Sequence, residues 1–368
     1  MKLSRIFIDD TVSGLPVVQK ICESSPGVPQ MTVSDVTSVY DAVQQAGDPI
    51  AEGKRTLFIT RNRGRFLRPC PGTSSYICCG YQILHIGTFC SMDCAYCILQ
   101  AYFNPPVLQV FVNHDEMFSE LNRLRTDACP FHRIGTGEFT DSLIWESLLP
   151  LSGALVSTFA GQDHAVLELK TKTVAIEGLA HLSHNRKTIM AWSLNTPAVI
   201  KREERRTTSL DARLDAAARA EKWGYPLAFH FDPLVIYDGW RQDYRQVIRR
   251  LFESVDPENI VWISIGSFRF IPSLKPIIQR RFPDSRLLLG EFIRGIDKKM
   301  RYFKPLRIEI YRAIVGWIKA TAPDVCVYFC MEDEEVWQKV LGYLPEEKGG
   351  LSRILDESAA RHCGLDIA

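Results

Sequence analysis

The strongest constraint on the fold is a set of short β-rich segments that alternate with helical segments from about residue 80 onward. The β-rich segments are YQILHIGT (81–88), FHRIGTG (131–137), AVLELKT (165–171), TIMAWSLN (188–195), PLAFHFD (226–232) and NIVWISIG (259–266). Strands that alternate with helices form βα units around a parallel sheet. The chain is too short over this region for a full eight-stranded barrel. We therefore expect an α/β fold built on an open, partial (β/α)6 barrel of the TIM type.

Two segments between these strands have clear helical patterning. Residues 115–125 place their apolar side chains on one stripe, and residues 209–224 begin and end with helix signals. Ser209 is the expected N-cap and Gly224 the expected stop. Both segments fit helices that cover a parallel sheet.

The start and end of the alternation predict the domain boundaries. We expect an N-terminal extension at 1–75, the barrel at 76–335 and a charged, helical C-terminal tail at 336–368. No apolar run approaches the ~18 residues of a membrane span, and the N-terminus lacks a signal-peptide core. A cytoplasmic location is therefore expected, with the 11 cysteines reduced. The net charge of +1 neither requires nor excludes nucleic acid.

Three cysteines, Cys90, Cys94 and Cys97, follow the first predicted strand at the spacing C-x3-C-x2-C. Active sites of βα barrels lie at this end of the strands. Three thiolates can bind three irons of a [4Fe–4S] cluster and leave the fourth iron open to a substrate or cofactor. The alternative is a zinc site that takes a fourth ligand from Cys78 or Cys79.

Polar residues end the next predicted strands, and barrel geometry directs them to the same face. Gly135, Gly137 and Glu138 end the second strand; glycine permits close backbone approach, and a carboxylate accepts hydrogen bonds from an ammonium. The third and fourth strands are followed by Lys172, Ser193 and Asn195. A lysine and small hydrogen-bonding side chains could bind the carboxylate and the ribose of a cofactor. The alternative interpretation is that these are ordinary turn and strand-end residues.

The cysteine triplet resembles the signature of the radical S-adenosylmethionine (SAM) superfamily. From Lys54 to about Cys330 the chain resembles the spore photoproduct lyase family. The stretches that carry this resemblance are Lys54-Arg55-Thr56-Leu57, CAYCILQ (94–100), QVFVNHDEMF (109–118), Lys172, SLN (193–195), LDARLDAAARAEKWGY (210–225), DPLVIYDGW (232–240), RRFP (280–283) and Arg301-Tyr302 before IYR (310–312). The resemblance implies a [4Fe–4S] cluster and SAM, cleavage of SAM to a 5′-deoxyadenosyl radical, and repair of a thymine photoproduct in DNA.

The resemblance also implies residue roles. Glu138 would hold the amino group of SAM, Arg301 and Tyr302 would lie in the lesion-binding region, and Tyr96 would relay hydrogen. Two departures from the family are evident: Glu138 stands where the family has its hydrogen-donating cysteine, and Ile98 replaces the second relay tyrosine.

Other residues are candidates for the missing or altered functions. Cys326 and Cys330, on a late predicted strand, could replace the hydrogen donor. His230 and Asp232, at the end of the fifth strand, make the expected site more polar than in the family and are candidate substrate ligands. The alternative for His230 is a buried core histidine with its hydrogen bonds satisfied.

Partners follow from charge and from the expected chemistry. The basic segments 54–68 and 294–312 are candidate phosphate contacts for DNA, or else solvated charged faces. Reduction of the cluster implies an electron donor such as flavodoxin or ferredoxin.

The alternatives in function are radical chemistry on a different nucleic-acid, peptide or small-molecule substrate, and a non-catalytic metal-cluster protein that binds nucleic acid. Further cysteines, Cys70, Cys78 and Cys79, are expected to be buried free thiols, with a second cluster as the alternative.

Overall fold

The computed structural model describes residues 1–73, 76–124 and 131–366. Within these ranges the strands are β1 (Arg5–Asp9), β2 (Gln30–Val33), β3 (Thr56–Thr60), β4 (Leu67–Pro69), β5 (Gln82–Leu84), β6 (Gly87–Thr88), β7 (Asp93–Cys94), β8 (Leu108–Phe111), β9 (His132–Gly135), β10 (Ala165–Thr171), β11 (Thr188–Ser193), β12 (Glu204–Arg205), β13 (Leu227–Leu234), β14 (Ile260–Ser267), β15 (Arg269–Phe270), β16 (Phe292–Arg294), β17 (Met300–Tyr302) and β18 (Val327–Phe329). The α-helices are α1 (Pro16–Glu23), α2 (Thr37–Gln44), α3 (Pro49–Gly53), α4 (Leu99–Tyr102), α5 (His114–Arg123), α6 (Leu151–Phe159), α7 (Pro197–Glu203), α8 (Leu210–Lys222), α9 (Trp240–Ser254), α10 (Leu274–Arg281), α11 (Lys304–Thr321), α12 (Glu334–Leu341) and α13 (Leu351–Cys363).

The main sheet is a curled, largely parallel half-barrel. Its strand order is β18-β14-β13-β11-β10-β9-β5-β4, and only β4 runs antiparallel to its neighbour among these described strands. Each of the β-rich segments predicted from the sequence contributes a strand, so the partial-barrel prediction is confirmed. A further parallel strand, β18, extends the sheet beyond β14.

The first predicted strand is interrupted, which corrects the expectation of one strand over 81–88. β5 stays in the half-barrel, whereas β6 pairs antiparallel with β8 of a second sheet. A Cβ on Gly87 would meet the backbone oxygen of Gln109 at 2.5 Å, so this close pairing needs a glycine. The chain thus leaves the barrel sheet just before the cysteine triplet.

The N-terminal region forms this second sheet, with the order β2-β1-β3-β8-β6. The strands β2, β1, β3 and β8 are parallel. Every residue of β3 is buried, as is typical of a parallel strand covered on both faces. Because β8 comes from 108–111, a strand beyond the predicted boundary at 75 completes the N-terminal sheet.

The two helices predicted from patterning are present. α8 begins after Ser209, whose hydroxyl accepts a hydrogen bond from the amide of Ala212 at 3.2 Å. It ends before Gly224, which has a φ of 89°. The helix predicted at 115–125 is α5; its last predicted residue, Arg125, lies outside the described residues.

The C-terminal region is helical, and α13 packs on the outside of the half-barrel. Arg133 of β9 forms an ion pair with Asp356 at 2.6 Å. The hydroxyl of Ser358 donates to the carbonyl of Val261 in β14. Leu355 and its apolar neighbours on α13 are buried in the main core. This segment is therefore part of the folded unit.

None of the described helices is both long enough and apolar enough to cross a bilayer. The main hydrophobic core lies on both sides of the half-barrel strands and continues into the N-terminal sheet. The carboxyl ends of the barrel strands are left to line a cavity.

Candidate active site

A cavity of about 390 Å³ opens where the parallel barrel strands end. It is lined by the cysteine loop on one side and by strand ends on the other. The residues predicted from the sequence that line it are Cys90, Cys94, Tyr96, Cys97, Gly137, Glu138, Lys172, Ser193, His230, Asp232 and Cys330. Ile98, at the position of the absent relay tyrosine, also lines it.

Three other predicted residues do not line this cavity. A Cβ on Gly135 would meet the Tyr81 hydroxyl at 1.4 Å, so this glycine makes room for a tyrosine rather than for a ligand. Asn195 is buried and joins strand ends, since its amide donates to Pro233 O at 2.9 Å. Cys326 precedes β18, at the opposite end of that strand from the cavity.

Arg301 and Tyr302 also lie outside the cavity lining, and both are buried. Arg301 forms an ion pair with Asp297 at 2.6 Å and lies 4.3 Å from the ring centroid of Tyr76. Tyr302 stacks on Phe292 with ring centroids 4.8 Å apart. Both therefore support the antiparallel strands β15–β17 from within rather than presenting free side chains to a ligand.

The cysteine loop is held by a buried lysine. The ammonium of Lys54 donates to the carbonyls of Cys90 and Met92 and lies 4.4 Å from the ring centroid of Phe89. Phe89 itself has a φ of 67°, in the left-handed region that costs a non-glycine residue free energy. Asp93 completes the set, 3.7 Å from the ammonium. The start of the loop is thereby fixed to the N-terminal sheet.

A second set of contacts fixes the end of the loop. The amide of Gln100 donates to the carbonyl of Cys94 at 2.9 Å, and Arg281 pairs with Asp93 at 2.9 Å. The phenol of Tyr96 donates to Glu204, so the predicted relay tyrosine has a carboxylate partner. Burial and this carboxylate raise the pKa of Tyr96 well above its usual value.

The three thiols suit a metal cluster. Burial raises the pKa of Cys90 to about 12 and also raises that of Cys94, so both are protonated in the chain alone. A metal supplies the positive charge that stabilises thiolates in such a site. Among the described residues, no three His, Cys, Asp or Glu side chains are placed to hold one metal ion. In a [4Fe–4S] cluster each of the three thiolates would bind a separate iron.

Glu138, the predicted anchor for an amino group, forms an ion pair with Lys170. Both line the cavity. A Cβ on Gly137 would approach the Cβ of Lys170 to 3.0 Å, so this glycine lets the lysine pass along the strand end. Lys172, two residues farther on, lies with its ammonium 5.9 Å from the Tyr96 ring centroid.

A buried carboxylate, Glu168, organises the centre of the cavity. It accepts hydrogen bonds from the Tyr81 hydroxyl at 2.7 Å and the Trp262 indole at 3.2 Å, and contacts the His230 ring nitrogen at 2.7 Å. Burial alone would raise the pKa of Glu168, but His230 and Lys170 lower it to about 2. His230 thus lines the cavity and has a hydrogen-bond partner, and its role as a substrate ligand stays a prediction.

The sequence analysis missed Glu168 and Lys170, although a signal for them was present. In the segment AVLELKT the charged residues alternate with Leu167 and Leu169. Residues two apart on a strand face the same side of the sheet. Glu168, Lys170 and Lys172 therefore face the barrel interior together.

A third ion pair lies at the end of β13. Asp232 pairs with Arg269 at 3.0 Å, and the same guanidinium lies 3.5 Å from the Cys330 sulfur. Burial raises the pKa of Cys330 to about 11 against the opposing effect of Arg269, so its S–H is retained at neutral pH. Cys330 is thus a protonated thiol that faces the cavity.

The remaining predicted thiols, Cys70, Cys78 and Cys79, line the same cavity. Burial raises the pKa of Cys70 to about 12, whereas a hydrogen bond with Cys79 lowers that of Cys78 to about 5. Cys78 is exposed, which differs from the expected buried state. A second cluster at these residues stays a prediction.

The basic segments are only partly available to a nucleic acid. In 54–68 the exposed cations are Arg61, Arg63 and Arg65. In 294–312 Arg301 and Arg307 are buried, whereas Arg294, Lys298 and Arg312 are exposed. Phe303 is 51% exposed, and Lys299 lines the cavity. Exposed cations of the second segment are thus close in sequence to Lys299, a residue that lines the cavity.

The family model described as spore photoproduct lyase matches residues 54–307. Curated relatives with that name include the protein of Bacillus subtilis, 29% identical over 208 residues, and that of Clostridium acetobutylicum, 28% identical over 258 residues. These matches cover 55% and 69% of this chain. They span 61% of the Bacillus subtilis protein and 72% of the Clostridium acetobutylicum protein.

Solved structures show the same fold. A double mutant of spore photoproduct lyase with bound AdoMet and dinucleoside spore photoproduct aligns with a TM-score of 0.77 at 22% identity. Spore photoproduct lyase complexed with dinucleoside spore photoproduct aligns with a TM-score of 0.76 at 21% identity. Each alignment covers 89% of this chain and 99% of the other.

Proposed function

Because this chain belongs to the spore photoproduct lyase family, we propose that it is a radical SAM enzyme that repairs a thymine photoproduct in DNA. When bound, a [4Fe–4S] cluster and SAM supply a 5′-deoxyadenosyl radical that abstracts hydrogen from the substrate. The observation that carries the proposal is the placement of Cys90, Cys94 and Cys97 on a buttressed loop at the mouth of a half-barrel cavity. AdoMet bound to a member with the same fold supports the choice of cofactor.

The chain's own residues would divide the binding work between the two sides of the cavity. The three cysteines would hold the cluster, with Lys54 neutralising part of the charge of the loop. Glu138 would accept hydrogen bonds from the amino group of SAM, and Lys172 would pair with its carboxylate. Both side chains line the cavity together with the cysteines, which supports these roles.

Cys330 would replace the family's hydrogen donor. It would give its S–H hydrogen to the substrate radical, and a thiyl radical would remain on the sulfur. Tyr96, the retained relay tyrosine, would return a hydrogen atom from its phenol to that thiyl radical. One electron from the reductant and one proton would then restore the phenol. Burial keeps the Cys330 thiol protonated, with a pKa of about 11, and this is the form that can donate.

A second candidate is the same radical chemistry on a different substrate. Two ion pairs line or border the cavity, Glu138 with Lys170 and Asp232 with Arg269, and Glu168 contacts His230 in the same lining. Paired charges in a cavity wall can exchange partners with a charged substrate group. Binding that group there therefore costs less desolvation free energy than binding it against an apolar wall. This polarity favours a substrate with charged groups near the reacting carbon.

The test uses anaerobically reconstituted protein, with iron counted per chain and 5′-deoxyadenosine measured after reduction with dithionite in the presence of SAM. We expect about four irons per chain, from the cluster stoichiometry, and reductant-dependent 5′-deoxyadenosine. Alanine substitution of Cys94 should abolish both, whereas Cys363→Ala, at a buried cysteine of α13, should abolish neither. Intact iron without 5′-deoxyadenosine would support the non-catalytic alternative instead.

DNA binding has a separate test. The exposed cations of the two basic segments should give an affinity for a thymine-rich duplex that falls as salt rises. Charge reversal of Arg63 and Arg65, or of Arg294 and Lys298, should reduce both the affinity and its salt dependence. Unchanged affinity in both double variants would favour a substrate that is not a nucleic acid.

A further inference from the structure

A second concavity, of about 580 Å³, lies on the outer side of the cysteine loop. Ser91 and Met92 of that loop form part of its wall. Met92 lines both this outer concavity and the inner cavity. The outer concavity therefore reaches the cysteine loop at Ser91 and Met92.

The outer concavity is cationic. Lys2, Arg55 and Arg206 line it, from three separate segments of the chain, and the ammonium of Lys54 lies behind them. No Asp or Glu is among its lining residues. Lys2 and Arg206 are exposed, and Arg206 has a φ of 61°, so a strained backbone position presents this guanidinium. Apolar side chains, including Leu143 and Ile144, form the floor.

The cluster loop is otherwise poorly accessible. Cys90 and Cys94 are 8% and 7% exposed. Their inner side faces the space that SAM and the substrate would fill. An electron carrier that approached through the inner cavity would compete with both. The outer side is free of this conflict.

We propose that the outer concavity is the docking site for an acidic, low-potential one-electron carrier protein that reduces the cluster. The carrier gives one electron and is itself oxidised by one electron, and no bond is made or broken in the docking step. The cations would steer an acidic protein by charge complementarity, and the apolar floor would exclude water at the centre of the contact. This inference rests on the proposed cluster, and it goes beyond the proposed function by placing the carrier on the chain.

The test compares two reductants on the reconstituted protein. Reduced flavodoxin serves as the acidic carrier and dithionite as the small-molecule reductant, and the readout is loss of the visible absorption of the cluster in the absence of SAM. The variant is Lys2→Glu with Arg206→Glu. The matched control is Lys20→Glu with Lys222→Glu, which makes the same charge change at exposed lysines outside the outer concavity.

We expect the Lys2→Glu, Arg206→Glu variant to need at least about tenfold more flavodoxin for half-maximal reduction at low ionic strength. The difference in flavodoxin requirement between the variant and wild type should narrow as salt approaches 0.1 M, where the Debye length is about 10 Å. Reduction by dithionite should be unchanged, and the control variant should behave as wild type with both reductants.

Three outcomes would overturn the inference. These are an unchanged flavodoxin requirement, an equal loss with both reductants, and displacement of flavodoxin by duplex DNA that itself depends on Lys2 and Arg206. The last outcome would assign the outer concavity to nucleic acid. Because the readout is cluster reduction, it is independent of SAM cleavage and can succeed or fail separately from the proposed enzyme activity.

Discussion

Two cysteines four residues apart differ in what they can do because they lie at opposite ends of one strand. Cys330 follows β18 and lines the cavity, whereas Cys326 precedes β18 and packs against the core at the other end. The sequence made both candidates for the hydrogen donor, since it indicated a strand without fixing which end met the site. Because β18 runs parallel to β14, its carboxyl end lies at the cavity, and Cys330 is the cysteine at that end.

Cys330→Ala should therefore uncouple the reaction. With reduced protein, SAM and a spore-photoproduct dinucleotide, we expect 5′-deoxyadenosine to persist while restored thymidylyl-thymidine falls at least about tenfold. Cys326→Ala is the matched control and should repair like wild type. In D2O the wild-type product should carry deuterium, because a thiol exchanges its hydrogen with solvent; product without deuterium would exclude a thiol donor.

Glu168 makes a pH-dependent prediction. Its pKa is about 2 in the folded chain against about 4.3 for an unperturbed glutamate, so the ionised form stabilises the fold. This contribution, on the order of 3 kcal/mol, is complete above about pH 5 and is lost as the pH falls through 4 toward 2. The difference in unfolding free energy between wild type and Glu168→Gln, from denaturant titrations, should shrink over that window. A difference that stays constant down to pH 2.5 would contradict it.

At the scale of elements, the cysteine loop depends on the N-terminal sheet. Lys54 lies directly before β3, and its ammonium reaches the carbonyls of Cys90 and Met92 across the interface. The sequence placed Lys54 in a basic segment for DNA, but this lysine is 1% exposed and cannot contact a phosphate. A buried cation that satisfies loop carbonyls is not distinguishable from a surface lysine by composition alone.

Lys54→Met should leave those carbonyls without their cation, while Asp93 keeps its ion pair with Arg281. A buried acceptor left unsatisfied costs about 1–3 kcal/mol, so we expect a loss of stability on that order and less bound iron after reconstitution. Thermal unfolding and iron counts would measure both. Lys20→Met, at an exposed lysine of α1, should match wild type; normal iron content in Lys54→Met would show that the loop is held by its other contacts.

The alternation of strands and helices predicted the half-barrel and the position of most cavity residues. It did not reveal the break between β5 and β6, because a hydrophobic run does not show which of two sheets each half joins. The N-terminal sheet was also missed, since its strands are short and are paired with β8 from a distant part of the chain. Which distant segments pair in one sheet depends on tertiary packing, and local sequence patterns do not show it.

At the scale of the whole molecule, α13 closes the outside of the half-barrel far from the reacting cavity. Leu355 is 1% exposed in the main core, so Leu355→Ala should lower the unfolding free energy by about 2–5 kcal/mol. Arg353→Ala, at an exposed position of the same helix, should change it by less than about 0.5 kcal/mol. Well below the unfolding temperature, SAM cleavage should be alike in both variants. A Leu355→Ala variant as stable as wild type would mean that α13 is not part of the cooperative unit.

We propose that this half-barrel repairs a thymine photoproduct by radical chemistry that starts at Cys90, Cys94 and Cys97. The most direct measurement is the yield of thymidylyl-thymidine from a synthetic spore-photoproduct dinucleotide, with anaerobically reconstituted, reduced protein and SAM. We predict restored dinucleotide together with 5′-deoxyadenosine in the wild type and neither product in Cys94→Ala. Release of 5′-deoxyadenosine by the wild type without any restored dinucleotide would contradict the claim and leave the radical SAM chemistry with a different substrate.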